Sequence, residues 1–320
     1  MGKILVTSSH WETLCQAADK LVKENGHEVV LHKGELPYMS FEEIAEVIGD
    51  IDGAIIGLDD WTDAVFEIAP KMKAIAKFGV GTDNIDKESA TRHGIKVLNA
   101  PGVNSGAVAE LTIGFMLDML RQITNLHKQL EQGNWVRYTG NELTGRTIGL
   151  LGFGAIAKLV AKKLQGFDVR ILASDPYANL EAAKALNVEI VDTDTVLRES
   201  DIVSIHVPAM PSTYHMINDE AFAKMKDGSY LINAARGAIV DTQALLRALE
   251  SGKLAGAALD AFENEPLKAD DPLLTCGKVI CTPHTGAETK EVYHNVSLCV
   301  AQDVINVLAG KEPKNWVNRW

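Results

Sequence analysis

TIGLLGFGAIAKLVAKKL (residues 147–164), followed at 169–177 by VRILASDPY, runs from an apolar strand through a glycine turn into a helix, then through a second strand to an acidic strand end. Each small residue has a separate task in such a unit. Gly152 lets the chain reverse tightly after the strand, Gly154 removes the side chain that would hold a pyrophosphate away, and Ala157 is small enough for the helix to lie on the sheet. The new helix then points free N–H groups and its positive dipole end at phosphate. Asp175 ends the next strand where a carboxylate accepts hydrogen bonds from an adenosine ribose. A G-x-G-x-x-A pattern alone is weak; strand before, helix after and Asp at this distance together predict dinucleotide binding.

The 320 residues, 46% hydrophobic and 23% charged, are enough for two domains with sizeable cores. A net charge of −12 with no long Lys/Arg block argues against nucleic acid or an anionic membrane as partner. The longest apolar stretch, LTIGFMLDML at 111–120, is interrupted by Asp118 and is too short for a bilayer span. The opening MGKILVTSS has no signal-peptide pattern. Cys15, Cys276, Cys281 and Cys299 form no C-x-x-C pair and have no His at metal-ligand spacing. Free thiols in a reducing, cytoplasmic compartment and no structural metal are therefore expected.

Short β-rich runs alternate with helical ones from the start: KILVTSS, HEVVLH, DGAIIG, KAIAKFGVG and GIKVLNA, each followed by a helical segment. After Pro101 comes a long helix, SGAVAELTIGFMLDMLRQI, whose apolar residues cover most of its surface, as for a helix buried between two layers. A second set follows: GRTIGLLG, VRILASD, VEIV, DIVSIHVP, GSYLINAARG, AGAALDAF and VICTPH. The alternation predicts an α/β protein of two doubly wound parallel-sheet domains. The last helix, about Glu288 to Leu308, is expected to return to the first domain and make it discontinuous: 1–100 with 289–320, around a dinucleotide-binding domain at 101–288.

A dinucleotide fold names no reaction. Three downstream motifs add chemistry: INAARGAIVD with Arg236, ALDAFENEP with Glu265 and ICTPHTGAE with His284. Arg236 and His284 follow strand-like runs and so lie in loops at carboxyl strand ends, where open α/β sheets place ligands. Hydride removal from a 2-hydroxy acid needs a cation on the carboxylate, which the planar fork of Arg236 supplies bidentately. It also needs a base that titrates near neutrality, and His284 would be neutral for oxidation and protonated for reduction. Glu265 beside that imidazole would fix its tautomer and stabilise its charged form. Taken singly, each of these residues also fits an ordinary surface or ion-pair role.

The segments KFGVGTDNID, NAPGVNSGAVAELTIGFML, TGRTIGLLGFGAIA, SDIVSIHVPAMPST, NAARGAIVD, GAALDAFENEP and TPHTGAET resemble the D-isomer-specific 2-hydroxyacid dehydrogenases, particularly the phosphoglycerate dehydrogenase-like branch. The resemblance covers about residues 50 to 300. It implies NAD as cofactor, Arg236, Glu265 and His284 as catalytic set, and main-chain N–H groups of Val80 and Gly81 on the substrate carboxylate. It further implies that Asp260 holds the nicotinamide carboxamide, that Ala155, Ile156, His206, Val207, Pro208 and Ala234 line the cofactor, and that a Rossmann-type domain is inserted in a flavodoxin-like substrate domain. A homodimer through the nucleotide domain is also implied. An NAD-sensing corepressor of the same family is the reading from another class. Formate dehydrogenase, which pairs its His with an amide, disagrees with Glu265.

The chain departs from phosphoglycerate dehydrogenases at GLDDW, residues 57–61. Gly57 and Leu58 stand where an Arg-Ser pair is common, Lys77 where a second Arg is common, and Phe78 adds apolar bulk. Asp59 and Asp60 would repel a phosphate if they faced the substrate. The alternative leaves both in solvent while Lys77 or a partner subunit supplies charge. A small unphosphorylated 2-oxo acid is the expected substrate, with 3-phosphoglycerate as the alternative. Of the histidines, His206 is read as lying at a strand end near the cofactor. His10, His27, His32, His93, His127, His215 and His294 are read as structural or solvated.

Overall fold

The computed structural model describes residues 2–32 and 38–320. They divide into two compact units, one of Met1–Asn104 with Glu288–Trp320, the other Ser105–Ala287.

In the first unit five parallel strands, β1 (Lys3–Val6), β2 (Glu28–Leu31), β3 (Gly53–Ile56), β4 (Ala74–Lys77) and β5 (Lys96–Leu98), lie in the order β2-β1-β3-β4-β5. This is the flavodoxin-like order, whose ligands bind at carboxyl strand ends. The strands are short and apolar on both faces because helices cover both. Ile4, Leu5, Ala54, Ile55, Ile75 and Ala76 are each at most 1% exposed. The last helix, Lys290–Leu308, lies on β3: a Cβ on Gly53 would come within 2.9 Å of Val304. The tail then joins β5, where Val317 donates its N–H to the Val97 carbonyl and the Asn318 carboxamide accepts from the Val97 N–H. Buried Asp303 holds that turn by accepting from the N–H groups of Lys314 and Asn315.

The second unit has seven parallel strands, β6 (Thr147–Leu151), β7 (Arg170–Ser174), β8 (Val188–Ile190), β9 (Ile202–Ile205), β10 (Ser229–Asn233), β11 (Leu254–Leu259) and β12 (Val279–Cys281). Their order is β12-β11-β10-β9-β6-β7-β8. The chain winds outward from β6 to β8 and then from β9 to β12, so the winding reverses between β6 and β9, the crevice where doubly wound sheets bind ligands. The helix Ser105–Arg121 packs Ala109, Phe115, Met116, Met119 and Leu120 into this core. Its apolar surface is wider than the buried stripe: Glu110 and Gly114 are exposed, and Glu110 pairs with Lys163 at 2.6 Å. Among the described residues no helix is long and apolar enough to cross a membrane, and no cluster of three or more His, Cys, Asp or Glu is placed to hold a metal.

Candidate active site

The glycine turn after β6 is shaped by a close approach of main chain. Gly152 has φ +95°, and a Cβ there would meet the His206 carbonyl carbon at 2.8 Å, so glycine is required on two counts. Gly154 caps the helix Ala155–Leu164 without a side-chain hydrogen bond, and open space surrounds its missing Cβ. Among the described residues the first N–H groups of that helix meet no side-chain partner, and they suit an anion. Ala157, fully buried, lets the helix lie on the core. Asp175 follows β7 and accepts the Phe153 N–H at 2.8 Å and the Tyr177 N–H at 2.7 Å. It thus ties the glycine loop to the next strand end, and each carboxylate oxygen retains a lone pair for a ribose hydroxyl. These features fit a dinucleotide.

His206 follows β9. Its Nε2 lies 3.0 Å from the Ser204 hydroxyl, and burial pushes its pKa down to about 4, leaving the ring neutral. What it presents to the glycine turn is its carbonyl, not its imidazole. Val207 and Ala234, after β9 and β10, are half-buried; Pro208 is exposed after β9, and Ala155 is exposed at the start of the helix that follows β6.

Arg236, Glu265 and His284 come from the loops after β10, β11 and β12, three neighbouring strands. His284 Nδ1 lies 2.8 Å from Glu265 Oε2. Ionised Glu265 can only accept, so Nδ1 carries the proton and Nε2 is left as the exchangeable site of the neutral ring. The hydrogen bond that His284 donates to Glu265 raises the His284 pKa against the opposing effect of burial. Burial would raise the Glu265 carboxyl, but the His284 bond and the Phe262 N–H at 2.9 Å hold it below its ordinary range. The Arg236 guanidinium is near enough to act on both charges and donates to the Ala235 carbonyl at 2.8 Å.

Two supports were not evident from the motifs. Buried Asn233 donates to the Arg236 carbonyl at 2.9 Å and accepts the Ala235 N–H at 3.1 Å, setting the turn that carries Arg236. Asp260, 3% exposed, binds the stretch around His284, accepting from the Thr282 hydroxyl (2.5 Å), the Thr285 N–H (2.7 Å) and the Gly286 N–H (2.7 Å). The signals were an Asn that ends β10 and an Asp directly after β11.

In the first unit, Val80 and Gly81 follow β4. Ala100 donates to the Gly79 carbonyl at 2.8 Å and Asn99 to the Val80 carbonyl at 2.8 Å, while among the described residues the N–H groups of Val80 and Gly81 meet no protein acceptor. Asp59 departs from both sequence expectations. It is 1% exposed, neither facing ligand nor in solvent, and its carboxylate accepts from the Thr7 hydroxyl and the Met39 N–H, the donors a buried charge requires. Asp60 is exposed. Lys77 donates to the Gly57 carbonyl and to Asn84, and Leu58, 64% exposed, is the side chain offered at the end of β3.

Residues 113–286 match the family model described as D-isomer specific 2-hydroxyacid dehydrogenase, NAD binding domain. A glyoxylate reductase of Thermofilum pendens is 43% identical over 300 residues, 91% of this chain and 88% of that protein. A D-3-phosphoglycerate dehydrogenase of Archaeoglobus fulgidus is 39% identical over 319 residues, 99% of this chain but only 59% of the relative's length. Among solved structures, the apo form of Escherichia coli D-lactate dehydrogenase superposes with a TM-score of 0.88 at 30% identity, covering 99% of this chain and 100% of that one.

Proposed function

The chain belongs to the D-isomer-specific 2-hydroxyacid dehydrogenase family, and from that membership we propose that it interconverts a small, unphosphorylated D-2-hydroxy acid and its 2-oxo acid with NAD. The observation that carries the reading is the 2.8 Å pairing of His284 Nδ1 with Glu265 on strand ends adjacent to that of Arg236. NAD, when bound, would accept the hydride from the substrate carbon in oxidation and, as NADH, return it in reduction; Gly152, Gly154, the helix start at Ala155 and Asp175 would hold it, with Ile156, Val207, Pro208, Ala234 and the His206 main chain along it. His284 gives a proton to the carbonyl oxygen in reduction and removes it in oxidation, through Nε2. Glu265 stabilises the protonated ring. Arg236 grips the carboxylate, with the N–H groups of Val80 and Gly81 as further donors. Asp260 keeps the loop of His284 in place and is the residue assigned to the nicotinamide carboxamide.

The unphosphorylated substrate is supported by the first unit. A phosphate of nearly two negative charges needs cations. Gly57 and Leu58 bring none, and the Lys77 ammonium is already bound by two protein oxygens. The test follows NADH consumption with glyoxylate, hydroxypyruvate, pyruvate and phosphohydroxypyruvate. A preference above about a hundredfold for the phosphorylated acid, about 2.7 kcal/mol in transition-state binding, would instead make 3-phosphoglycerate the natural substrate.

The protein is further proposed to be a cytoplasmic homodimer joined through the second unit. Its four cysteines are free thiols, as a reducing compartment requires. The helix Ile123–Glu131 has no buried residue, and Ile123, Leu130, Trp135 and Val136 are 56%, 54%, 85% and 53% exposed, an apolar stretch that a partner would cover. Light scattering on Trp135→Asp should report monomer, and an unaltered dimer would place the interface elsewhere.

A further inference from the structure

The second unit holds another imidazole–carboxylate pair, which the reaction as assigned does not use. His215 Nε2 lies 2.5 Å from Glu263 Oε1, with the two side chains only 28% and 24% exposed. Glu263 Oε2 accepts the N–H of Thr242, first residue of the helix Thr242–Glu250, at 2.9 Å. His215 is equally fixed on its other side. Its N–H donates to the Ala238 carbonyl at 2.9 Å, inside the 3₁₀ turn Gly237–Ile239 that directly follows Arg236. Next to it, Ile217 donates to the Ile239 carbonyl and accepts from the Asp241 N–H. The Tyr214 ring stacks on the imidazole at 4.0 Å and 13° between planes, which holds the ring in its orientation.

His215 therefore grips two loops at once, the Arg236 turn through its backbone and the loop of Glu265 through Glu263. Those loops already touch, since a Cβ on Gly237 would overlap the Phe262 carbonyl. The Phe262 N–H in turn donates to Glu265 Oε1, so the contact leads directly to the partner of His284.

We propose that His215 and Glu263 are positioning residues that lock the loop of Glu265 against the turn of Arg236, holding both in register about His284. Neither touches the reacting atoms; they act through Glu265 and Arg236, and the proposal rests on the roles given to those residues above. Misplacing a positioned group by about 1 Å costs on the order of a hundredfold in rate. The clamp joins the carboxylate anchor to the acid–base pair.

Three full-length variants test it. His215→Leu keeps apolar bulk without the hydrogen bond, His215→Gln places an amide nitrogen near the Nε2 position, and Glu263→Gln loses one of its two acceptor bonds. For each, kcat and KM for reduction of the best 2-oxo acid are measured against pH, together with NADH affinity by fluorescence and the thermal midpoint. His215→Leu should lose about tenfold or more in kcat/KM with NADH affinity within about twofold. The decline of reduction rate with rising pH should move to lower pH, because a displaced Glu265 supports the charged His284 less. His215→Gln should recover most of the loss, and Glu263→Gln should move the pH limb in the same direction. If His215→Leu does not fold, the limb of Glu263→Gln carries the test. Kinetics within twofold of the parent with an unmoved limb, or a loss that His215→Gln does not restore, would overturn the proposal even if stability fell. His284→Ala separates the two levels: if it retains turnover, the site reading itself fails; if it is inactive while His215→Leu is normal, only the positioning role fails.

Discussion

Asp260→Asn probes the least exposed charge in the site. The carboxylate is 3% exposed, with Oδ1 accepting from the Thr282 hydroxyl and the Thr285 N–H and Oδ2 from the Gly286 N–H. A carboxamide of the same shape must aim its NH2 at one of these sites. In either orientation, a main-chain N–H of the His284 loop faces a donor, and an orphaned buried donor costs about 1–3 kcal/mol. The surviving bonds fall from charge-assisted to neutral strength, about 1 kcal/mol less each, while removing a buried charge returns part of its desolvation cost. The net is about 2–4 kcal/mol. For a unit of this size that lowers the thermal midpoint by roughly 5–15 °C. Because the affected N–H groups lie one and two residues past His284, its displacement should also lower kcat by about tenfold to a hundredfold. Calorimetry and steady-state reduction at saturating NADH measure the two effects. A midpoint within about 2 °C of the parent with normal kcat would show that Asp260 does not hold this loop; a variant that loses only NADH affinity would make Asp260 a cofactor contact and not the anchor of this loop.

In the role proposed for Asp175, its carboxylate would accept from a ribose diol and repel an added phosphate, so Asp175→Ala should weaken NAD by about 1–3 kcal/mol and relax discrimination against NADP; equal efficiency of the parent with both cofactors would contradict this. Arg236→Lys keeps charge but loses the two-pronged geometry, so catalytic efficiency should fall with every 2-oxo acid while NADH affinity holds; a change confined to the cofactor would reject the anchor. For Glu265→Gln the sign follows from the bond to His284. Glu265 raises the His284 pKa, and reduction needs the protonated ring, so activity is full below that pKa and lost as pH rises through it. Without the carboxylate the pKa drops, and the loss should occur at lower pH; a shift to higher pH would exclude the pairing.

Much of this architecture is legible along the chain because the signals are local. β6 and β7 declare themselves as apolar runs, and Gly152, Gly154 and Ala157 sit where a tight reversal and a close helix demand small residues. Arg236 and His284 could be placed because each directly follows an apolar run. What could not be read depends on partners distant in sequence. Asp59 looks like half of a solvated Asp–Asp pair, yet its fate is set by Thr7 and Met39. His215 carries no ligand spacing, and only the fold brings it to Glu263, 48 residues on. The role of Asp260 as anchor of the His284 loop is likewise a matter of which N–H groups the fold points at it.

His284 is proposed to move the proton in a reaction held by Arg236 and driven with NADH. The most direct measurement of this role is single-turnover reduction of the preferred 2-oxo acid by the parent and by His284→Ala, with NADH affinity measured on both. The variant's rate should fall by roughly a hundredfold to ten-thousandfold, the range for a positioned acid or base, with NADH binding largely retained. Near-normal turnover of His284→Ala across the pH range would contradict this role.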